Sequence, residues 1–163
     1  MAGRVRVGIG YDVHPFAPGR RLVLGGVALP HHRGLGGHSD ADALTHAVMD
    51  ALLGACGLPD IGMLFPANDP RFEGADSLSL LDQVVRRVRE RGFRIAQVDG
   101  VVVAQEPRLA EFLPRMREVL AARLEVEADA VGLKATTPEG LGALGRGEGI
   151  AALAVAVLEP VES

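Results

Sequence analysis

The segment "IAALAVAVLEP" at 150–160 constrains the fold more than any other stretch of the chain. A strand with one wet face alternates apolar and polar side chains, whereas this one offers Ala, Val or Leu on both sides. Both of its faces must therefore be covered. One cover is visible in the chain. From Asp42 to Ala55 the residues Leu44, Ala47, Val48, Ala51, Leu52 and Ala55 recur at helical spacing, with Ser39 or Asp40 available as N-cap and Gly57 as stop. Ser77 to Arg91 repeats the pattern on Leu78, Leu81, Val84, Val85 and Val88, and Leu109 to Leu124 is helical with a restart at Pro114.

Between the helices lie strands: "VRVGIGY" at 5–11, "AQVDGVVVAQ" at 96–105 and "AVGLKAT" at 130–136, with a Gly-turned hairpin in "RLVLGGVALP" at 21–30. The interleaving predicts an α+β fold, a two-layer sandwich of one mixed β-sheet with helices on one face, as a single domain over 1–163. Two layers leave the second face of the sheet bare. An oligomer would cover it; the alternative is that the hairpin at 21–30 folds over it.

Charge excludes some partners. With 17 basic and 21 acidic side chains the net charge is -4, which gives no electrostatic footprint for nucleic acid or a membrane surface. The run Ile150 to Leu158 is half of what a bilayer needs and the N-terminus has no apolar signal core, so a cytoplasmic protein is expected. The single Cys56, beside Ala55 and Gly57, reads as a small buried hydrophobe.

The chemistry is concentrated near the N-terminus. All 5 histidines, His14, His31, His32, His38 and His46, fall between residues 14 and 46. In "GYDVHPF" Asp12 and His14 stand two apart at a strand end and so share a face. On the following helix Asp42, His46 and Asp50 form an i, i+4, i+8 stripe, in which the carboxylates could accept the outer ring hydrogen of a metal-bound imidazole. One Asp and two His with an open position fit catalytic zinc. His31 and His32 are expected in solvent. "HSDADALTH" puts His38, Ser39 and Asp40 at a helix N-terminus, where free N–H groups favour an anion. "DIGMLFPANDPRFEG" reads as a long ordered loop, and "KATTPEG" and "GLGALGRGEG" as turns that are not nucleotide P-loops.

Taken in order, "GYDVHPF", "HSDADALTHAVMDALLGA", "DIGMLFP", "VVVAQEPRL", "KATTPEGLG" and "GRGEGIA" resemble the 2-C-methyl-D-erythritol 2,4-cyclodiphosphate synthase family of the non-mevalonate isoprenoid pathway, over nearly the whole chain. The resemblance implies a homotrimer packing its sheets around a three-fold axis, with sites between subunits. It implies a zinc ion on Asp12, His14 and His46 and a magnesium or manganese ion on Glu139. By the same resemblance His38 and Ser39 hold a substrate phosphate, and Asp60 and Gly62 the methylerythritol hydroxyls. A cytidine pocket falls on Ala104, Pro107, Arg108, Leu109, Ala110, Ala135 and Thr136, with Thr137 toward the phosphates. Arg146 and Glu148 remain for an isoprenoid diphosphate on the trimer axis.

The reaction implied is intramolecular: the 2-phosphate of 4-diphosphocytidyl-2-C-methyl-D-erythritol 2-phosphate closes onto the β-phosphorus and expels CMP. Three departures from the family pattern stand out. Ala67 and then Asn68 follow "FP" where Asp is common, Gly140 stands where Lys is usual, and Ala143 replaces a frequent aromatic. Two other readings stay open, the second motivated by those departures from the family pattern. One is a zinc phosphohydrolase that activates water; the other is a non-catalytic binder of isoprenoid diphosphates.

Overall fold

The computed structural model describes residues 3–162. β1 (Arg6–Ala17), β2 (Leu22–Leu24), β3 (Val27–Leu29) and β4 (Gly34–Leu35) precede α1 (Ala43–Cys56), α2 (Ile61–Leu64) and α3 (Ser77–Glu90). β5 (Phe93–Val103), α4 (Leu113–Leu124), β6 (Val131–Thr136), α5 (Gly142–Gly145) and β7 (Gly149–Pro160) complete the order. Five strands form one sheet, β4-β1-β7-β5-β6, in which only the β5–β6 pairing is parallel. The sheet is mixed, as the sequence predicts, and β7 lies in its middle.

That position accounts for the apolar run at 150–160. Ile150, Ala152, Ala154, Ala156 and Leu158 are buried on the side where α1 packs. The opposite face is bare: Val7 is 65%, Ile9 71% and Tyr11 56% exposed, and Val13 and Val155 are exposed beside them.

α1 approaches β1 unusually closely because two strand residues have no side chain. A Cβ on Gly8 would lie 2.0 Å from the Ala51 carbonyl oxygen, and one on Gly10 1.9 Å from that of Ala47. Small residues on both elements thus bring a helix backbone onto a strand backbone.

Asp42 caps α1, not Ser39 or Asp40. Its carboxylate accepts from Thr45 N at 3.0 Å and Thr45 Oγ1 at 2.7 Å, and also from Gly25 N at 2.9 Å and Gly26 N at 2.8 Å. Gly25 and Gly26 form the left-handed turn between β2 and β3, with φ of 56° and 73°. The same carboxylate therefore closes the helix and holds the hairpin. Around that turn stand Met116, Leu44, Leu78 and Val119, so the hairpin belongs to the helical layer. It does not cover the bare sheet face, and that alternative fails.

Gly57 ends α1 in the left-handed conformation at φ 70°, as expected. The segment 60–74 is less irregular than its composition suggests: Asp60 caps the four-residue α2, and Asp69 caps a 3-10 turn at Pro70–Phe72. Elements this short carry no hydrophobic period to read. A second 3-10 turn at Ala110–Phe112 leads into α4, with Pro114 in its first turn. Among the described residues no helix is long and apolar enough to cross a membrane. Cys56 is buried, and that burial pushes its thiol pKa up.

Candidate active site

β1 runs past Tyr11, so Asp12 and His14 lie within the strand rather than at its end. They continue the row Gly8, Gly10 on the face against α1, where the glycines let the helix close. His46, in the first turn of α1, then reaches them. Asp12 Oδ2 lies 2.7 Å from His14 Nε2 and 3.2 Å from His46 Nδ1, and the two ring nitrogens are 3.3 Å apart. The carboxylate and the two imidazoles can each turn one ligand atom into a space where all lie within 4.8 Å of one another. Among the described residues they form a group that could hold a metal ion.

The hydrogen-bond pattern tests that fit. His14 Nδ1 lies 3.1 Å from the Gly36 carbonyl, which can only accept, so Nδ1 carries the ring hydrogen and Nε2 offers a lone pair to the centre. Asp12 Oδ2 is buried and, close as the rings are, receives no correctly directed hydrogen bond. An orphaned buried oxygen beside an imidazole lone pair calls for a cation, and carboxylate with imidazole is a donor set suited to zinc.

The three groups also act on one another's charge. Burial pushes the Asp12 pKa up, but the close approach and charge of His14 and His46 outweigh it and hold the group below its ordinary value. Burial pushes the His46 pKa down, and the neighbouring carboxylate of Asp12, with the charges of Asp42 and Asp40, lifts it above its ordinary value.

The carboxylates flanking His46 on α1 do not serve its imidazole. Asp42 is occupied by the hairpin and the helix cap, and Asp50 accepts from Ile61 N at 2.9 Å, tying α2 to α1. Burial raises the pKa of both groups. The ring contacts of His46 come instead from elsewhere: its Nε2 lies 2.9 Å from Ser77 Oγ and 3.1 Å from Ser39 Oγ. Ser77, the first residue of α3, is the member of this set that sequence reading missed.

A cavity of about 280 Å³ opens on the three donors and is lined by His38, Ser39, Ile61, Gly62, Phe65, Ala67, Phe72 and Leu80. It brings His38, Ser39 and Gly62 to the donors, and Ala67 as well. Asp60 is not on its wall; its carboxylate accepts from Met63 N as the cap of α2. His38 and Ser39 precede α1 by several residues, and Asp42 takes the N–H they were expected to leave free. An anion there would meet their side chains rather than the helix terminus.

A second cavity, of about 200 Å³, is lined by Ala104, Gln105, Pro107, Arg108, Leu109, Ala110, Ala135, Thr136 and Thr137. These are the residues singled out from the "VVVAQEPRL" and "KATT" segments, joined by Gln105, whose Oε1 accepts from Gly140 N at 2.9 Å. Thr137 Oγ1 accepts from Glu139 N at 3.3 Å. Glu139 is exposed in the turn after β6, with φ 57°, and is not brought to Asp12, His14 and His46 within the chain. Arg146 pairs with Glu148 at 2.6 Å on the surface, and Ala143 lies exposed on α5. His32 is exposed as expected, but His31 is half-buried between Phe16 and His32, and that burial lowers its pKa.

Fold and site together define a two-layer α+β protein with an Asp, His, His centre that could hold a metal ion beside an open cavity. The model of the YgbB family matches residues 5–159, and the chain belongs to that family. It is 57% identical over 154 residues to the 2-C-methyl-D-erythritol 2,4-cyclodiphosphate synthase of Moorella thermoacetica, covering 94% of each chain. The IspF structure from Plasmodium falciparum, a CDP complex, superposes with a TM-score of 0.85 at 30% identity, covering 97% of each chain. The bifunctional IspDF of Campylobacter jejuni gives a TM-score of 0.94 at 42% identity, over 98% of this chain and 43% of that one.

Proposed function

We infer that the chain catalyses the reaction for which its relatives are named, the closure of 4-diphosphocytidyl-2-C-methyl-D-erythritol 2-phosphate to 2-C-methyl-D-erythritol 2,4-cyclodiphosphate with loss of CMP. The observation that carries the reading is the convergence of Asp12, His14 and His46 on a buried point with an orphaned carboxylate oxygen, in a chain so similar to those synthases. Asp12, His14 and His46 would hold one divalent ion, read as zinc. A divalent ion there supplies a positive centre for phosphate oxygens.

An oxygen of the 2-phosphate forms the new bond to the β-phosphorus, and the bond from that phosphorus to the oxygen of CMP breaks. A phosphate monoester is already an anion at neutral pH, so the attack needs no side-chain base. The work of the protein is to hold the substrate bent and to neutralise crowded oxygens. His38 and Ser39, on the wall of the first cavity, would hold one phosphate, and Gly62, with Asp60 just off that wall, would meet the methylerythritol hydroxyls. The second cavity takes the cytidine on Ala104, Pro107, Arg108, Leu109, Ala110, Ala135 and Thr136, with Thr137 toward the diphosphate.

The two cavities suit different ends of one substrate. Val13 on β1 aligns through Ala151 and Val103 with Thr136 on β6. Three strand spacings separate the metal edge of the sheet from the cytidine edge, roughly 14 Å. We take the working site to lie between copies of a homotrimer, built on the bare sheet face. Glu139, on the cytidine side, would hold a second divalent ion, read as magnesium or manganese, which would supply positive charge to the diphosphate. Arg146 remains available to an isoprenoid diphosphate on the axis. The chain is read as one domain.

Incubation of the purified protein with the cytidylylated 2-phosphate, zinc and magnesium should release CMP in step with a cyclic diphosphate seen by phosphorus NMR. An open-chain methylerythritol product would instead identify a water-activating phosphohydrolase, and no CMP at all would sink both.

A further inference from the structure

His46 can offer Nδ1 to a metal only if its ring hydrogen is elsewhere, and the structure shows where that hydrogen goes. We propose that Ser77, held by Asp40, is a positioning residue that fixes the His46 tautomer with the hydrogen on Nε2 and the lone pair on Nδ1. The proposal rests on the reading of Asp12, His14 and His46 as a metal centre, and concerns what keeps one of its ligands in the binding form.

The direction of each hydrogen follows from the chemistry of the partners. Asp40 Oδ2 accepts from Ser77 N at 3.0 Å, and its Oδ1 accepts the Ser77 hydroxyl hydrogen and Asp42 N–H, the latter at 3.2 Å. A carboxylate has nothing to donate, so the Ser77 hydrogen is committed to Asp40. What Ser77 Oγ has left is lone pairs, and one of them faces His46 Nε2 at 2.9 Å. That contact is attractive only when Nε2 is protonated. A neutral imidazole carries one hydrogen, so Nδ1, 3.2 Å from Asp12 Oδ2, is then bare.

Ser39 is the competing acceptor and the weaker one. Its Oγ is farther from Nε2, at 3.1 Å, and already accepts from Ala41 N at 3.2 Å. Its own hydrogen has no acceptor in this network and is free to turn into the cavity that Ser39 lines. Ser77 is fully buried and is not on the cavity wall, so neither water nor substrate can take its place. Asp40 also accepts nothing from the cavity: its N–H goes to the Ala75 carbonyl at 3.0 Å, and its carboxylate is spent on α3 and the cap of α1. The two hydroxyls around one imidazole thus have separate tasks. Ser77 orients the ligand and Ser39 faces the substrate.

The test is zinc affinity of the full chain, with zinc alone titrated against a chromophoric chelator. Loss of an acceptor behind a metal-bound histidine weakens binding by about 10- to 100-fold, and Ser77→Ala is expected in that range. Ser77→Thr, which keeps the hydroxyl, should recover affinity to within about threefold of the parent, while Ser39→Ala should stay within about threefold. A Ser77→Ala protein binding zinc as the parent does, or Ser39→Ala losing as much as Ser77→Ala, overturns the assignment. Should Ser77→Ala not fold, nitrogen-15 NMR of the zinc-loaded parent decides: a hydrogen on His46 Nε2 supports the proposal, and a metal on Nε2 refutes it. A parent chain that binds no zinc overturns the metal-centre reading itself, a result distinct from either variant outcome.

Discussion

The two faces of β1 differ in what they leave unfinished. On the inner face Gly8 and Gly10 are buried under α1, and Asp12 and His14 continue the row into a centre where nearly every polar atom has a partner within the chain. What that face lacks is a single positive charge. On the outer face Val7, Ile9, Tyr11 and Val13 stand in the open with no charged group among them. That face lacks apolar surface against which to pack. One strand thus carries both needs, alternating residue by residue, because successive side chains point to opposite sides. A point defect is met by an ion, whereas a surface defect needs another protein surface. We read the first as the metal site and the second as the seat of neighbouring copies of the chain.

Substitutions on the two faces should therefore fail in different ways. Gly10→Ala puts a methyl group against the Ala47 carbonyl, a backbone atom that cannot turn aside. Overpacking of this kind costs about 3 kcal/mol, and here it also lifts His46 from Asp12. Urea unfolding of Gly10→Ala should show that loss together with weakened zinc binding; unchanged stability would mean that α1 does not rest on β1 as described.

Ile9→Asp, on the outer face, should leave the chain folded and the metal bound but disrupt association. A buried anchor residue is worth about 2 kcal/mol or more at an interface. Sedimentation should show the parent as a trimer and the variant shifted to monomer. A variant that remains trimeric would place the interface elsewhere.

Val7→Thr makes the smallest change, since Thr keeps the branched shape that a strand prefers and Val7 is 65% exposed in the lone chain. Unfolding of the chain in its dissociated form should shift by no more than about 0.5 kcal/mol. A larger loss would show that the outer face contributes to folding and not only to association.

Much of this is legible in the sequence, for identifiable reasons. α1 follows from a regular apolar period and a Gly57 stop, and the shared face of Asp12 and His14 follows from strand geometry alone. The cap of α1 is not legible, because "SDAD" at 39–42 offers several good caps and the choice among them is tertiary. Ser39 faces His46, Asp40 is drawn to α3, and the Gly25–Gly26 turn selects Asp42.

The same holds for the stripe Asp42, His46, Asp50. Its spacing is real, but each carboxylate is claimed by a distant backbone N–H, which no local pattern reports. Ser77 escapes notice because a serine opening a helix looks like part of its start, and its task is visible only once α3 is set against α1. Gly8 and Gly10 do carry a signal, since glycine inside a strand marks a close backbone approach. Two of them on one face of β1 imply a helix laid directly on that strand.

The need of the inner face for a cation is tested most directly by metal analysis of protein purified without chelators. The expected result is one zinc per chain in the parent and none above background in His46→Ala, with both proteins folded. A parent without metal, or a His46→Ala protein that retains its zinc, would contradict the assignment of Asp12, His14 and His46.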